Sequence, residues 1–575
     1  MTLIERWLAE TWSDPVEREL VAVLSQPTGR TAGGWPYLQR HAWVRFRDWV
    51  PHHLDEGARS LASVRRLLDL LERVGPTDAE RAGIEDAVRV IRQVVLTAQI
   101  TAPPDLWLLR HVLGSLRRIG VLDRWARGEV VRSTRETEPD LQLLLSRGYL
   151  ARAGEGYRWG DAPAARDVLG LQPLPDRPAD LSWRWAEAFS GERRHDRLLL
   201  ELADALPPTP RRRAPTWIAT PEDIELGYRL VPLVLGLRAS ERVAPALEAG
   251  RLDVDGPVGA AALAILRRAA AVDDQGALTP TGRRLLDRGP GPFGIIEAYH
   301  PYLAQLDRIL TQGSASVHVA RSANVAASQD ANRRTFQKAN DALDAFCEAT
   351  GFRYTVFVEH AVGRGEAIRQ RWQRSGDALT YVGADLEPAA IEAAREEQRR
   401  GRLPPGVRFV SGADIGRPDV LVRWMQQQGL PTEGAVMLVG NGLHEVRDQT
   451  DERMIEVFRG YERAGIVLLF TEESALATDD LLNTAWNTYH AGFRYVHHRS
   501  GQGLRPASPT PPSRLGASLP TSWTECAQAA GYVRADRFCS RSRTIYPYTP
   551  ANGVNPSISV NHFFVPARIA ARLSW

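Results

Sequence analysis

The chain has 575 residues, 43% of them hydrophobic and 25% charged, with 72 basic against 69 acidic side chains. That is a globular composition too long for one core, so roughly two to four domains are expected, and a net charge of +3 supplies no global field for nucleic acid or an anionic membrane. Three widely spaced cysteines (Cys347, Cys526, Cys539) exclude a disulfide framework or a cysteine zinc cluster. Every basic residue but Lys338 is arginine, a bias of the kind GC-rich bacterial genomes impose. The opening MTLIERWLAETW carries acids and no apolar signal core, and no run of about 20 apolar residues follows. A cytoplasmic protein without membrane partners is expected.

Helical periodicity dominates the first 340 residues. Segment 60–99 spaces apolar residues three and four apart, interrupted by the turn-like GPTD, and Pro103-Pro104 is expected to separate it from the next unit. Residues 105–160 read as helix, a second helix starting near Pro139, and a hairpin turning at Gly154-Glu155-Gly156. That order outlines a winged helix. A Pro- and Arg-rich linker (LPPTPRRRAPT) follows, and 226–286 repeats the outline with a wing, AVDDQGALTPTGRRLL, turning at Asp273–Gly276. The domains expected are 1–205, helical with the first winged-helix-like unit; a linker at 206–225; 226–335, the second such unit; and 336–575.

A winged helix most often binds DNA, but here the second helix of the first unit (TRETEPDLQLLLSR) begins acidic and that of the second (GPVGAAALAILRR) is apolar almost throughout. Neither offers the Arg, Asn or Gln fan that reads base edges. Packing against another domain or a second subunit is the expectation, with no nucleic-acid partner.

From about residue 352 the pattern changes. Near-continuous apolar strands at 353–360, 379–386, 407–414, 434–441 and 466–473 alternate with amphipathic helices. This predicts a parallel, doubly wound α/β sheet of Rossmann-like kind. The stretches GYVRADRFCSRSRTIYPYTP and ISVNHFFVP alternate like closing antiparallel strands.

Ligands of such sheets sit at the carboxyl ends of the strands. The first strand ends in Glu359-His360-Ala361-Val362-Gly363-Arg364-Gly365, where small residues at 361, 363 and 365 let backbone approach a ligand before a helix starts at Glu366. The second ends in Asp385, 20 residues past Gly365 and placed to accept from a ribose diol. A nicotinamide site would need glycine at 368, which is Ile368.

Together these residues resemble the class I S-adenosylmethionine-dependent methyltransferases. Residues 359–365 are similar to their E-x-G-x-G-x-G loop, YVGADLEPAAIEAARE to their second motif and VRFVSGAD to their third. LHEVRDQTDE resembles the His-Asp-x-x-Asp stretch of the small-molecule O-methyltransferases, which carry a helical, winged-helix-like dimerisation domain ahead of the catalytic one. The resemblance spans roughly 226–575. Three departures stand out: Ala361 replaces the first loop glycine, the third motif reads Gly412-Ala413-Asp414, and His444 is followed by Glu445.

The resemblance implies S-adenosylmethionine as cofactor, a small-molecule acceptor and a possible homodimer. It would have Glu359 orient the loop and meet the methionine ammonium, with Ala361, Gly363 and Gly365 lying along the methionine half. Asp385 would hold the ribose, Leu386 and Asp414 would meet the adenine, and Asn441 would complete the set. His444, just past the fourth strand, suits the acceptor's proton, oriented by Glu445 or Asp448. His360, His444, His490 and His497-His498 are candidate metal ligands, but no H-x-x-x-H spacing joins them and no metal is assigned. The aromatic, histidine-rich stretch after the fifth strand reads as an acceptor-pocket wall and lid, or as a surface loop. Two other readings stand: a non-methylating S-adenosylmethionine enzyme (aminocarboxypropyl transfer or cyclisation), and a ligand-sensing DNA-binding regulator.

Overall fold

The long apolar runs after residue 352 form one mixed, mostly parallel sheet in the computed structural model. The structure describes residues 15–30, 34, 36–49, 61–69, 77–172, 181–192, 196–204, 206, 217–313, 316–317, 322–447, 449–484, 490–516, 518–541 and 559–574. Asp448, residues 207–216 of the expected linker and the TIYPYTP stretch lie outside them. The described residues fall into two compact units: one within 1–317 and 478–495, the other within 318–477, 496–544 and 556–575.

In the first unit a single helix, Asp78–Arg118, opens on a capping box in which Thr77 and Glu80 satisfy each other's backbone N–H groups. It continues through Pro103 and Pro104, where the sequence predicts a break between units. Proline costs a free helix about 3 kcal/mol. Here the surrounding turns, from Ala98 to Val112, are buried almost continuously, and that burial outweighs the local penalty. Gly227 of the helix Pro221–Ala239 lies where a Cβ would stand 2.4 Å from that of Leu106, so the two helices pack backbone to side chain. Helix Pro221–Ala239 crosses the boundary expected at 225/226, and helix Ser322–Thr350 crosses that at 335/336.

The first expected hairpin is Leu150–Ala153 paired with Gly156–Trp159, turning at Gly154 with φ 57°. The second is smaller than expected. Only isolated bridges pair Arg251 with Ala277 and Val272 with Leu278, because Thr279 caps a helix, Pro280–Arg288, across the residues read as a wing strand.

The second unit holds the sheet: β1 (Val356–His360), β2 (Thr380–Asp385), β3 (Arg408–Ser411), β4 (Val436–Gly440), β5 (Val467–Glu473), β6 (Tyr532–Arg534), β7 (Ser540–Arg541) and β8 (Ser559–Pro566). The order is β6-β8-β5-β4-β1-β2-β3, with β7 on β8. β1 to β5 are parallel, and β8 runs antiparallel to β5, to β6 and to β7. One face packs Val356, Val358, Met437 and Leu468 against helices α3 (Pro418–Gln427), α4 (Asp451–Arg463) and α5 (Trp523–Ala529). The other packs Phe357, Tyr381, Leu438 and Leu469 beneath α1 (Glu366–Ser375) and α2 (Pro388–Arg399). Both faces are covered, which is why the strands read as unbroken apolar runs. The strand order reverses between β1 and β4, and such sheets hold ligands in the crevice at that point.

Among the described residues no helix is long and apolar enough to cross a membrane. Leu438 is fully buried in the central strand β4. Leu438→Ala should cost about 2–5 kcal/mol through lost burial and the cavity left behind, and a thermal melt should show a lowered midpoint for the sheet-bearing unit.

Candidate active site

The crevice is built from four strand ends. After β1 the chain turns through Ala361 (φ 58°), Gly363 (φ 48°) and Gly365 (φ 77°), all left-handed. Glycine adopts this at no steric cost, and Ala361 is held there by its surroundings. Val362 N–H donates to the Ala384 carbonyl (3.1 Å) and Gly365 N–H to the Val362 carbonyl (2.7 Å), binding the loop to β2 and closing it tightly.

Glu359 is 1% exposed, and its two oxygens accept from Ala367 N–H (3.2 Å) and Ile368 N–H (2.8 Å). It caps α1 and so sets how the loop enters that helix. Burial pushes its carboxyl up to about 8 against the pull of those two donors. Asp385, also buried, accepts from Gly363 N–H (3.2 Å) and Glu387 N–H (3.0 Å), and burial raises its pKa. Beside it Leu386 stands 52% exposed, a large apolar side chain at the rim. Asp414, past β3, accepts from Gly416 N–H at 2.8 Å and shapes its own turn.

The turn after β4 stands against the loop after β1. Asn441 is left-handed (φ 51°) and donates its N–H to the Thr471 carbonyl of β5 at 2.8 Å. A Cβ on Gly442 would lie 2.8 Å from a Val439 methyl and 3.3 Å from the Cβ of Ala361, so a side chain there would force these neighbours to shift. The chain then makes a short 3-10 turn, Leu443–Glu445, that presents His444.

His444 is nearly buried, and its Nδ1 lies 2.8 Å from Oε2 of Glu472, a fully buried carboxylate near the end of β5. Oε1 of the same carboxylate accepts from the N–H groups of Leu443 and His444. An acceptor already engaged with two amides assigns the proton to Nδ1, leaving the lone pair on Nε2. That Nε2 is 3.4 Å from Oε1 of Glu445.

The carboxylate on Nδ1 of His444 is Glu472, where Glu445 or Asp448 was expected; Glu445 faces the other ring nitrogen, and Asp448 lies outside the described residues. In the sequence Glu472 stands only as the end of an apolar strand, LLFTEE. Its sole sequence signal was an acid at the carboxyl end of a strand, at the same crevice as His444. His360 accepts at Nδ1 from Ala361 N–H (3.0 Å), and burial lowers its pKa to about 4. Among the described residues no group of three or more ligating side chains is placed to hold a metal. The stretch read as a wall, lid or loop contains a helix, His490–Arg499, whose His497 packs on His444.

No family model and no curated protein matches the chain. Among solved structures it is similar to the CMeT domain of the citrinin polyketide synthase, at 12% identity and TM-score 0.33, over 81% of this chain and 89% of that one. It is also similar to the O-methyltransferase NcsB1 of neocarzinostatin biosynthesis, at 19% identity and TM-score 0.31, over 58% and 95%. A third is the N,N-8-amino-8-demethyl-D-riboflavin dimethyltransferase RosA of Streptomyces davawensis, at 17% identity and TM-score 0.30, over 59% and 98%. Identities this low carry no site residue from one chain to the other.

Glu359 makes a pH prediction. Its folded value near 8 exceeds the ordinary 4.5, so between those limits the folded chain holds a proton that the unfolded chain has released. Its contribution is complete at low pH and is lost as pH rises through the folded value. Glu359→Gln, neutral throughout, should flatten the decline in denaturant midpoint measured from about pH 5 to 9. An unaltered slope would show that Glu359 stays ionised.

Proposed function

We propose that the chain is an S-adenosylmethionine-dependent methyltransferase acting on a small molecule bearing an O–H or N–H group. The observation that carries this is an imidazole at the crevice of a doubly wound sheet, with one nitrogen committed to a buried carboxylate and the other 3.4 Å from Glu445 Oε1.

The cofactor fits the residues present. Each oxygen of Asp385 uses one lone pair on backbone and retains another for a ribose hydroxyl. The exposed Leu386 adjoins it as a platform for a flat base. The left-handed turn at 361–365 keeps side chains out of the path of the methionine half, and Glu359 acts through that turn by capping α1. Asn441 and Asp414, past the ends of β4 and β3, complete the proposed set of cofactor residues.

When bound, S-adenosylmethionine supplies a methyl group on an electrophilic sulfonium. This chain's residues then align the acceptor and remove its proton. Nε2 of His444 takes that proton, and Glu472 stabilises the resulting imidazolium through Nδ1. Glu445, at 3.4 Å, sets the local field on the acceptor side of the ring. In this reading the helix-and-hairpin stretches of the first unit are winged-helix-like packing modules, serving enclosure or dimerisation rather than DNA.

Calorimetry with S-adenosylmethionine and S-adenosylhomocysteine tests the cofactor. Asp385→Ala should lose about 1.5–3 kcal/mol, roughly tenfold or more in affinity. Unchanged affinity in a folded variant would remove Asp385 from the site. His444→Ala should lower the single-turnover rate by about 10² to 10⁴ with cofactor affinity retained, and a rate close to wild type would remove the base assignment. Release of S-adenosylhomocysteine marks methyl transfer; methylthioadenosine would mark attack on the aminopropyl side instead.

A further inference from the structure

The turn that carries His444 is held from a second side. At the end of the helix His490–Arg499, His497 is 2% exposed, and its ring meets that of His444 edge to face, 4.9 Å between centroids at 77°. Beyond it the chain folds back, because the His497 carbonyl accepts from Gln502 N–H at 2.9 Å and from the Ser500 hydroxyl at 3.0 Å. Gln502 then donates through Nε2 to Oε1 of Glu445, and Gly503 N–H donates to the His444 carbonyl at 3.1 Å. A Cβ on Gly503 would lie 2.5 Å from the Gln449 carboxamide carbon, so a side chain there would displace that amide.

Three contacts from residues 497–503 thus end on two adjacent residues, His444 and Glu445. They supply something Glu472 does not. The hydrogen bond at Nδ1 still tolerates rocking of the imidazole about its Cβ–Cγ bond, and that rocking swings Nε2. A second ring packed edge to face removes that freedom.

We propose that His497 is a positioning residue: its ring, anchored by the 500–503 turn, fixes the plane of His444 and so the direction of Nε2. The proposal rests on His444 being the base. It is the shape of the ring that acts, so phenylalanine replaces it and a side chain without a ring does not.

Carbethoxylation of His444 by diethylpyrocarbonate, on the full chain and without acceptor or cofactor, tests this. The tryptic peptide 424–447 contains no other histidine, so its mass reports His444 alone. His497→Ala and His497→Leu should label severalfold faster than wild type, while His497→Phe labels at the wild-type rate. His497→Leu keeps the bulk of the side chain and serves where alanine does not fold. With any acceptor that turns over, the ringless variants should lose kcat with little change in acceptor KM, and His497→Phe should restore it. Wild-type labelling in the ringless variants, or fast labelling in His497→Phe, would overturn the proposal. Calorimetry on the same samples separates the two readings. A chain without affinity for S-adenosylmethionine ends the methyltransferase reading and leaves the labelling result standing, whereas binding with unaltered labelling ends this proposal alone.

Discussion

The buried carboxylate of Glu472 holds the crevice together. It gathers three donors, the amides of Leu443 and His444 and the Nδ1–H of His444, with no exposure to solvent. A carboxylate without partners there would cost several kcal/mol in desolvation, and three donors offset that cost. The same bonds splice the end of β5 to the turn after β4, so the position of the imidazole and its tautomer are set by one group. Remove Glu472, and two amides and an imidazole nitrogen lose their acceptor together.

The second constraint is conformational. Ala361 and Asn441, on the two strands between which the order reverses, both sit in the left-handed region. Asparagine tolerates that region better than alanine does. Both turns are over-determined, one by the bonds of Val362 and Gly365, the other by the Asn441 amide on Thr471. With Gly442 against Ala361, the loop beside Asp385 and the turn bearing His444 become one rigid rim. Two of the four described non-glycine residues with positive φ thus stand at this crevice, the other two, Glu241 and Ala270, belonging to the first unit.

The first unit shows long-range packing overruling local signals. Helix Asp78–Arg118 passes through two prolines because its neighbours bury it. Segment 478–495, which follows β5 in sequence, is fastened within this unit by Thr478 to Gln142 (2.6 Å) and by Tyr495 to Asp140 (2.8 Å). Asp105, paired with Arg147 at 3.2 Å and fully buried, is pushed up to about 7 by that burial. These partners stand from 42 to 355 residues apart, and nothing in local periodicity announces them.

What the chain determined by itself was what depends on period and on strand ends. Apolar runs spaced by amphipathic helices specify a doubly wound sheet, because both faces must be covered. Once the strands are placed, Asp385 and His444 must fall at their carboxyl ends. The first loop was legible for the same reason, since small residues at 361, 363 and 365 admit a left-handed turn. Tertiary structure decided the partners. Glu472 lies 28 residues from His444 and His497 lies 53 beyond it, and only strand register and helix packing bring them together. It likewise assigned Glu359 to the cap of α1, carried a helix through Pro103-Pro104 and reduced the second hairpin to bridges. Hydrogen-bond partners and burial are properties of three-dimensional neighbourhood, and a local pattern of residues does not contain them.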